Sequence, residues 1–269
     1  MIVRPIYAVL EREVLKMMAQ RGRLLSSLVR PLLWLLVIGA GFGAMQSRHG
    51  GPGYQAFLVP GVLGMTLLFG GMLAALSMVN DRESGVMRML VIAPIEHYWI
   101  VIAKALSATL AALIQAALLL VLLAILGYLS LQTSVPLLLA GLVGTAFACA
   151  SLGLLVAAFS KTLDNYATLM NLVIFPVFFL SGSLYPVQQL PPALHWVATL
   201  NPYTHGVDLL KHAALSSPAG AAAPDFSVAF DLAMIIGFSA LALTIACVRF
   251  SRDEANEPLI HRLARNRAD

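Results

Sequence analysis

Asp81-Arg82-Glu83-Ser84-Gly85 and Arg88 set two acids and two bases close together, with a long apolar run on either side. Such a group can cap and dock; it holds no obvious nucleophile. Asn80 can accept a hydrogen bond from an early backbone N–H, and Glu83, three residues on, stands where the acid of a capping box belongs. Asp81 and Glu83 suit the positive end of a helix dipole, and Pro94 pushes Ala93 out of the α region. The spacing therefore predicts a helix over 81–93. Val86, Met89, Leu90 and Ala93 share one side of it, and Arg82, Ser84 and Arg88 point elsewhere. Tied to two membrane spans, it could push on both; an ordinary interfacial loop with a helical turn fits the spacing equally well.

A second constellation is built from prolines. Phe175-Pro176, Leu180-Ser181-Gly182, Tyr185-Pro186, Leu190-Pro191, Asn201-Pro202 and Asp208 break up an apolar stretch. Pro176 is expected to interrupt its helix and Ser181-Gly182 to end it. Residues 185–215 are too broken to cross a bilayer and too apolar to stand free in water. Irregular backbone at membrane depth must be buried in protein or line a cavity, so re-entrant or interfacial helices at the outer leaflet are expected here. They would roof a translocation route.

Other chemistries find little support. None of Lys16, Lys104, Lys161 and Lys211 follows a glycine, so the chain lacks a phosphate-binding loop of the G-x-x-x-x-G-K type. Its expected spans lack the buried acids of ion-coupled carriers, since Asp208, Asp225 and Asp231 fall in or near the outer segment. His49, His97, His195, His205, His212 and His261 are scattered. His205 and His212 are neighbours without a third ligand at useful spacing, and no metal site is expected. Ser181, His205 and Asp208 lack the motif of a nucleophile elbow.

The elements that must position these residues follow from composition. The chain has 269 residues, 59% hydrophobic and 11% charged, with a mean hydropathy of +0.85. Soluble proteins carry roughly 25% charged residues, so this is a membrane composition. Six apolar runs, 28–45, 57–79, 98–127, 136–159, 166–184 and 228–250, read as an all-α polytopic protein with six transmembrane helices. With an even number of crossings, all of the 17 Lys and Arg except Arg48 and Lys211 fall on one side, which the positive-inside rule makes cytoplasmic, termini included. The formal net charge of +4 reflects that asymmetry and gives no reason to expect nucleic acid. Residues 4–22 read as an amphipathic interfacial helix and 251–269 as a polar cytoplasmic tail. Lys104 is expected to snorkel to the interface. Met1 to Arg23 contains no apolar core fit for a signal peptide, so the first span should act as its own insertion signal. Cys149 and Cys247, both in expected spans, suggest packing rather than disulfide or metal chemistry.

The run Asp81-Arg82-Glu83-Ser84-Gly85 through Arg88, Leu90 and Pro94 resembles the cytoplasmic coupling segment of the ABC-2 family of export permeases. The proline-rich order from Phe175 to Asp208 resembles that family's second signature, with Lys211 and His212 where family members often carry an Arg. The resemblance implies that Asp81, Arg82, Glu83, Ser84, Gly85, Arg88, Leu90 and Pro94 couple to a cytoplasmic ABC ATPase subunit. It implies that Phe175, Pro176, Ser181, Gly182, Tyr185, Pro186, Pro191, Asn201, Pro202 and Asp208 build an outer gate. A homodimer in a bacterial inner membrane is implied; spans one and five are our choice for its seam and substrate path. The absence of any cofactor on this chain is implied too, ATP and Mg being held by the ATPase. The alternative is a polytopic scaffold or membrane-embedded enzyme without transport activity.

Overall fold

The computed structural model describes residues 11–12, 15, 22, 29–41, 54–86, 97–129, 133–213 and 223–265. Among them every regular element is helical. Helix α1 is Val29–Gly41 and contains a π-helical turn at Trp34–Ile38. Then come α2, Tyr54–Glu83, α3, His97–Ile125, α4, Val135–Phe159, and α5, Leu163–Phe179. After a 3₁₀ turn at Val187–Gln189, two short helices follow, α6, Pro192–Leu200, and α7, Pro202–His212. Helix α8, Val228–Arg265, closes the bundle.

Among the described residues four segments are long and apolar enough to span a bilayer: Phe57–Glu83, Tyr98–Ile125, Val135–Phe159 and Val228–Ser251. Helix α5 is a shorter apolar helix of 17 residues, and α1 is apolar over its described span Val29–Gly41. At 1.5 Å per residue α5 covers only about 25 Å of a hydrocarbon core of roughly 30 Å.

Helices α2 and α4 are the centre, with 72% and 67% of their apolar windows buried, whereas α3 and α8 have 33% and 22%. Small residues let the central pair touch. A Cβ added at Gly71 would lie 3.0 Å from the backbone N of Ala150, and one at Gly153 would lie 2.8 Å from Ala75 Cβ. Such close backbone approach is how membrane helices gain dispersion energy when lipid removes the hydrophobic drive. Ala148, on the Ala140-Gly144-Ala148 face of α4, packs with Leu209 of α7 and Ile235 of α8. Tyr166 Oη donates to Met72 O at 2.6 Å and ties α5 to the same centre. The outward faces of α3 and α8 stay apolar, as at Val121, Ile236 and Leu241.

Three elements differ from the sequence reading. No helix starts at Asn80: α2 runs through it to Glu83, because the apolar run preceding Asn80 continues the helix and leaves no N-cap position. Asn80 O accepts the N–H and the hydroxyl of Ser84, at 2.9 and 2.7 Å, and Gly85, at φ 76°, turns the chain out of the helix. Pro176 does not break α5, which continues to Phe179. The break falls at Leu180-Ser181-Gly182, where Gly182 has φ 73°. The expected tail is a direct continuation of α8 as far as Arg265. Most of the expected helices over 4–22 and 81–93 lies outside the described residues.

Candidate functional site

The residues singled out above gather at two opposite ends of α2. At its C-terminal end Asp81 is not displayed outward. Its Oδ2 lies 2.5 Å from Lys104 Nζ of α3 and 2.7 Å from Arg12 Nη2. Lys104, expected to snorkel, is 2% exposed, because it points back into the bundle towards Asp81 and Ser77 Oγ. Arg82 Nη1 donates to Ser160 O at 2.9 Å, and its guanidinium lies 5.9 Å from the Phe250 ring.

Glu83 Oε2 accepts the Leu163 N–H at 3.1 Å, placing a carboxylate at the positive end of α5, where Thr162 Oγ1 also caps Asn165 N at 3.2 Å. This end is therefore a brace of α2 against α3, the α4–α5 loop and α8. Glu83 and Ser84 remain exposed on it. Arg88, Leu90 and Pro94 lie outside the described residues.

At the other end, the second constellation folds into a cap. Asn201 Oδ1 accepts Tyr203 N at 3.1 Å, starting α7, while its Nδ2 donates to Val177 O at 2.7 Å, fastening the α6–α7 junction to α5. Tyr185 Oη donates to Phe179 O, and Tyr54 Oη at the start of α2 donates to Leu184 O at 2.9 Å. Ser181 Oγ meets Phe178 O and Ser183 Oγ, both at 2.6 Å. His205 pairs with Asp231, so Ser181, His205 and Asp208 do not form a triad.

Helix α7 is buried along nearly its whole length. A Cβ at its Gly206 would fall 2.5 Å from Thr145 Oγ1 of α4, and one at Gly64 of α2 would fall 2.8 Å from Tyr203 Oη. Asp208 accepts the N–H groups of Asp225 and Phe226, at 2.7 and 2.9 Å, and so holds the chain entering α8. Lys211 Nζ lies 2.5 Å from Asp225 Oδ2 and 3.7 Å from Asp208 Oδ1. Burial pushes the Asp208 carboxyl up to about 6, against the pull of the two N–H groups and of Lys211.

His205 Nδ1 lies 2.8 Å from Asp231 Oδ1 and its Nε2 lies 2.8 Å from Thr199 O. Two acceptors on one ring require either a charged imidazole or a protonated Asp231. Asp208, His212 and Asp231 offer ligand-type atoms within 4.8 Å of one another. The sequence hid this group because its third member belongs to α8.

Between the two ends, α1, α2 and α5 line an aromatic groove of about 260 Å³ bounded by Arg30, Trp34, Phe69, Phe175, Phe178 and Phe179. The Arg30 guanidinium stands 4.1 Å from the centre of the Phe69 ring.

The family model described as "ABC-2 type transporter" matches residues 4–215, most of the chain. The chain belongs to the ABC-2 type transporter family. This permease is 34% identical over 206 residues to Nodulation protein J of Rhizobium leguminosarum bv. trifolii, covering 74% of this chain and 77% of the relative. The Nodulation protein J of Neorhizobium galegae is 31% identical, covering 72% and 75%. Transport permease ycf38 of Porphyra purpurea is 27% identical, covering 78% and 74%. The permease is thus a multi-pass membrane protein of a transport family. The matched region takes in the brace, except for its contact with α8, and most of the cap.

Proposed function

We propose that this permease is the membrane subunit of an ATP-binding-cassette exporter, moving an amphipathic or lipid-linked substrate outward across a bacterial inner membrane. ATP is hydrolysed on a separate cytoplasmic subunit, which holds ATP and Mg. The family match over 4–215 carries the reading. The exposed carboxylate of Glu83 beside Ser84 and the turn at Gly85 supports a docking face at the α2 end, and the distribution of Lys and Arg supports a cytoplasmic side for it. The coupling segment runs on from there through Arg88, Leu90 and Pro94.

On this reading α1 and α5 complete six crossings, with the bilayer thinning or a second copy packing around the short α5. Helices α6 and α7 form the outer re-entrant cap. Its outward residues are apolar, with Trp196 70% and Leu200 71% exposed, as suits a helix lying at the headgroup level. A second copy packs across α1 and α5, where the aromatic groove stands open, and the substrate's apolar part passes along that groove.

Pulling down the permease from its native membrane tests this. A co-purifying soluble ATPase whose ATP turnover rises on addition of the permease is expected. A permease that carries no ATPase, or leaves its turnover unchanged, points instead to a scaffold or membrane-embedded enzyme.

A further inference from the structure

The cap holds more negative charge than hydrogen bonding alone requires. Among the described residues its buried network contains Asp208, Asp225 and Asp231, with side chains 1%, 3% and 0% exposed, against the single ammonium of Lys211. Even with His205 counted as a cation, three carboxylates face two positive groups, and His212, 3.8 Å from Asp208 and Asp231, becomes a third only as an imidazolium. Buried charge of this kind calls for a further positive partner.

One atom marks where that partner would sit. Asp231 Oδ1 is taken by His205, but Asp231 Oδ2 is buried with no hydrogen-bond partner. It lies 3.8 Å from His212 Nε2, which lies at the same 3.8 Å from Asp208 Oδ2.

We propose that Asp208, His212 and Asp231 form a binding site for a divalent cation of the zinc class. Asp208 and His212 stand four residues apart on α7 and so project from one face, and Asp231 enters from the first turn of α8. Imidazole and carboxylate donors suit such an ion. Two ligand atoms at about 2.0–2.1 Å from a tetrahedral ion stand roughly 3.4 Å apart, so the two 3.8 Å separations from His212 need to close by a few tenths of an ångström, and the two carboxylates, within 4.8 Å of each other, by up to about 1.4 Å.

Binding makes His212 exchange its contact with Phe226 O, now 2.9 Å from Nε2, for the ion. The ring then keeps its hydrogen on Nδ1. The remaining position falls to water, since the His212 side chain is 20% exposed and opens the site to solvent. His205 holds Asp231 in place, its ring packed against Phe226 and Phe230 at 5.1 and 5.2 Å. The ion would rivet α7 to α8 at the cap.

Titration of the full chain in detergent, purified without a histidine tag and stripped with EDTA, tests the proposal with Zn²⁺ and with Co²⁺ as a spectroscopic probe. The expected result is one Zn²⁺ per chain with a rise in Tm. Binding should weaken at least about 100-fold in Asp231→Asn and in His212→Gln, and be unchanged in His195→Ala. Should a variant fail to fold, the wild-type Co²⁺ spectrum decides. Visible bands of a four-coordinate nitrogen and oxygen site support the proposal, and a spectrum like that of hydrated Co²⁺ overturns it. Wild-type protein that takes up no ion, uptake undiminished in both Asp231→Asn and His212→Gln, or loss in His195→Ala also overturns it. The readout needs no ATPase, so it stands apart from the exporter reading.

Discussion

Lys104 Nζ lies 2.5 Å from Asp81 Oδ2, and both residues are almost fully buried where α2 ends. A pair so placed is expensive to break, because the survivor stays charged in a poor dielectric. Lys104→Met should cost about 1–3 kcal/mol, less than for a wholly uncompensated charge, because Asp81 keeps Arg12, whose side chain is 40% exposed. Asp81→Leu with Lys104→Met should recover most of that loss, since an apolar pair of similar volume replaces a buried ion pair at little cost. Thermal unfolding in detergent checks both; equal stability of Lys104→Met and the parent would contradict the brace.

Glu83 separates stability from coupling. Its exposed contact with the Leu163 N–H is worth only about 0.3–1 kcal/mol as a charge at a helix N-terminus. Glu83→Arg should therefore insert and fold while losing stimulation of the partner ATPase. Gly85→Pro should behave alike, because proline's φ of about −65° cannot meet the observed 76°. Circular dichroism with ATP turnover measures both properties in one preparation.

The cap depends on Asn201, which serves α7 with its oxygen and α5 with its nitrogen. Asn201→Ala should cost about 1–2 kcal/mol. It should also speed amide exchange across Pro202–His212 more than elsewhere. Exchange that rises equally in all helices would speak for global loosening instead.

Glycines on two helices should behave oppositely. At Gly206 even a methyl group meets Thr145, so Gly206→Ala should destabilise by about 1–3 kcal/mol. Gly41 of α1 has nothing within 4 Å of an added Cβ. Gly41→Leu should leave the folded chain intact and shift a homodimer towards monomer, read by light scattering with the detergent subtracted.

Much of this arrangement was legible in the sequence, where its signals were local. The four long apolar helices follow the hydropathy runs to within a turn or two, and Asn201-Pro202 does start a helix. The α2 terminus was misread because the capping signal at Asn80 and Glu83 matches that of a helix start, and only the continuing apolar run decides against it. Pro176 misled in the same way: the helix carries it and stops at the left-handed glycine six residues on.

The pairings between distant positions were out of reach. Asp81 with Lys104, Glu83 with Leu163, and Asp231 with the Asp208–His212 pair depend on which helix faces are apposed, and periodicity does not encode that. Charges at the ends of neighbouring runs were the one available hint.

Co-reconstitution of the permease and its captured ATPase in liposomes, with ATP turnover followed at fixed ATPase concentration, tests the exporter reading most directly. Turnover should rise several-fold with wild-type permease and return to the level of the ATPase alone with Glu83→Arg. Turnover indifferent to the permease, or raised equally by Glu83→Arg, would contradict the assignment of the α2 end as the place where the motor acts.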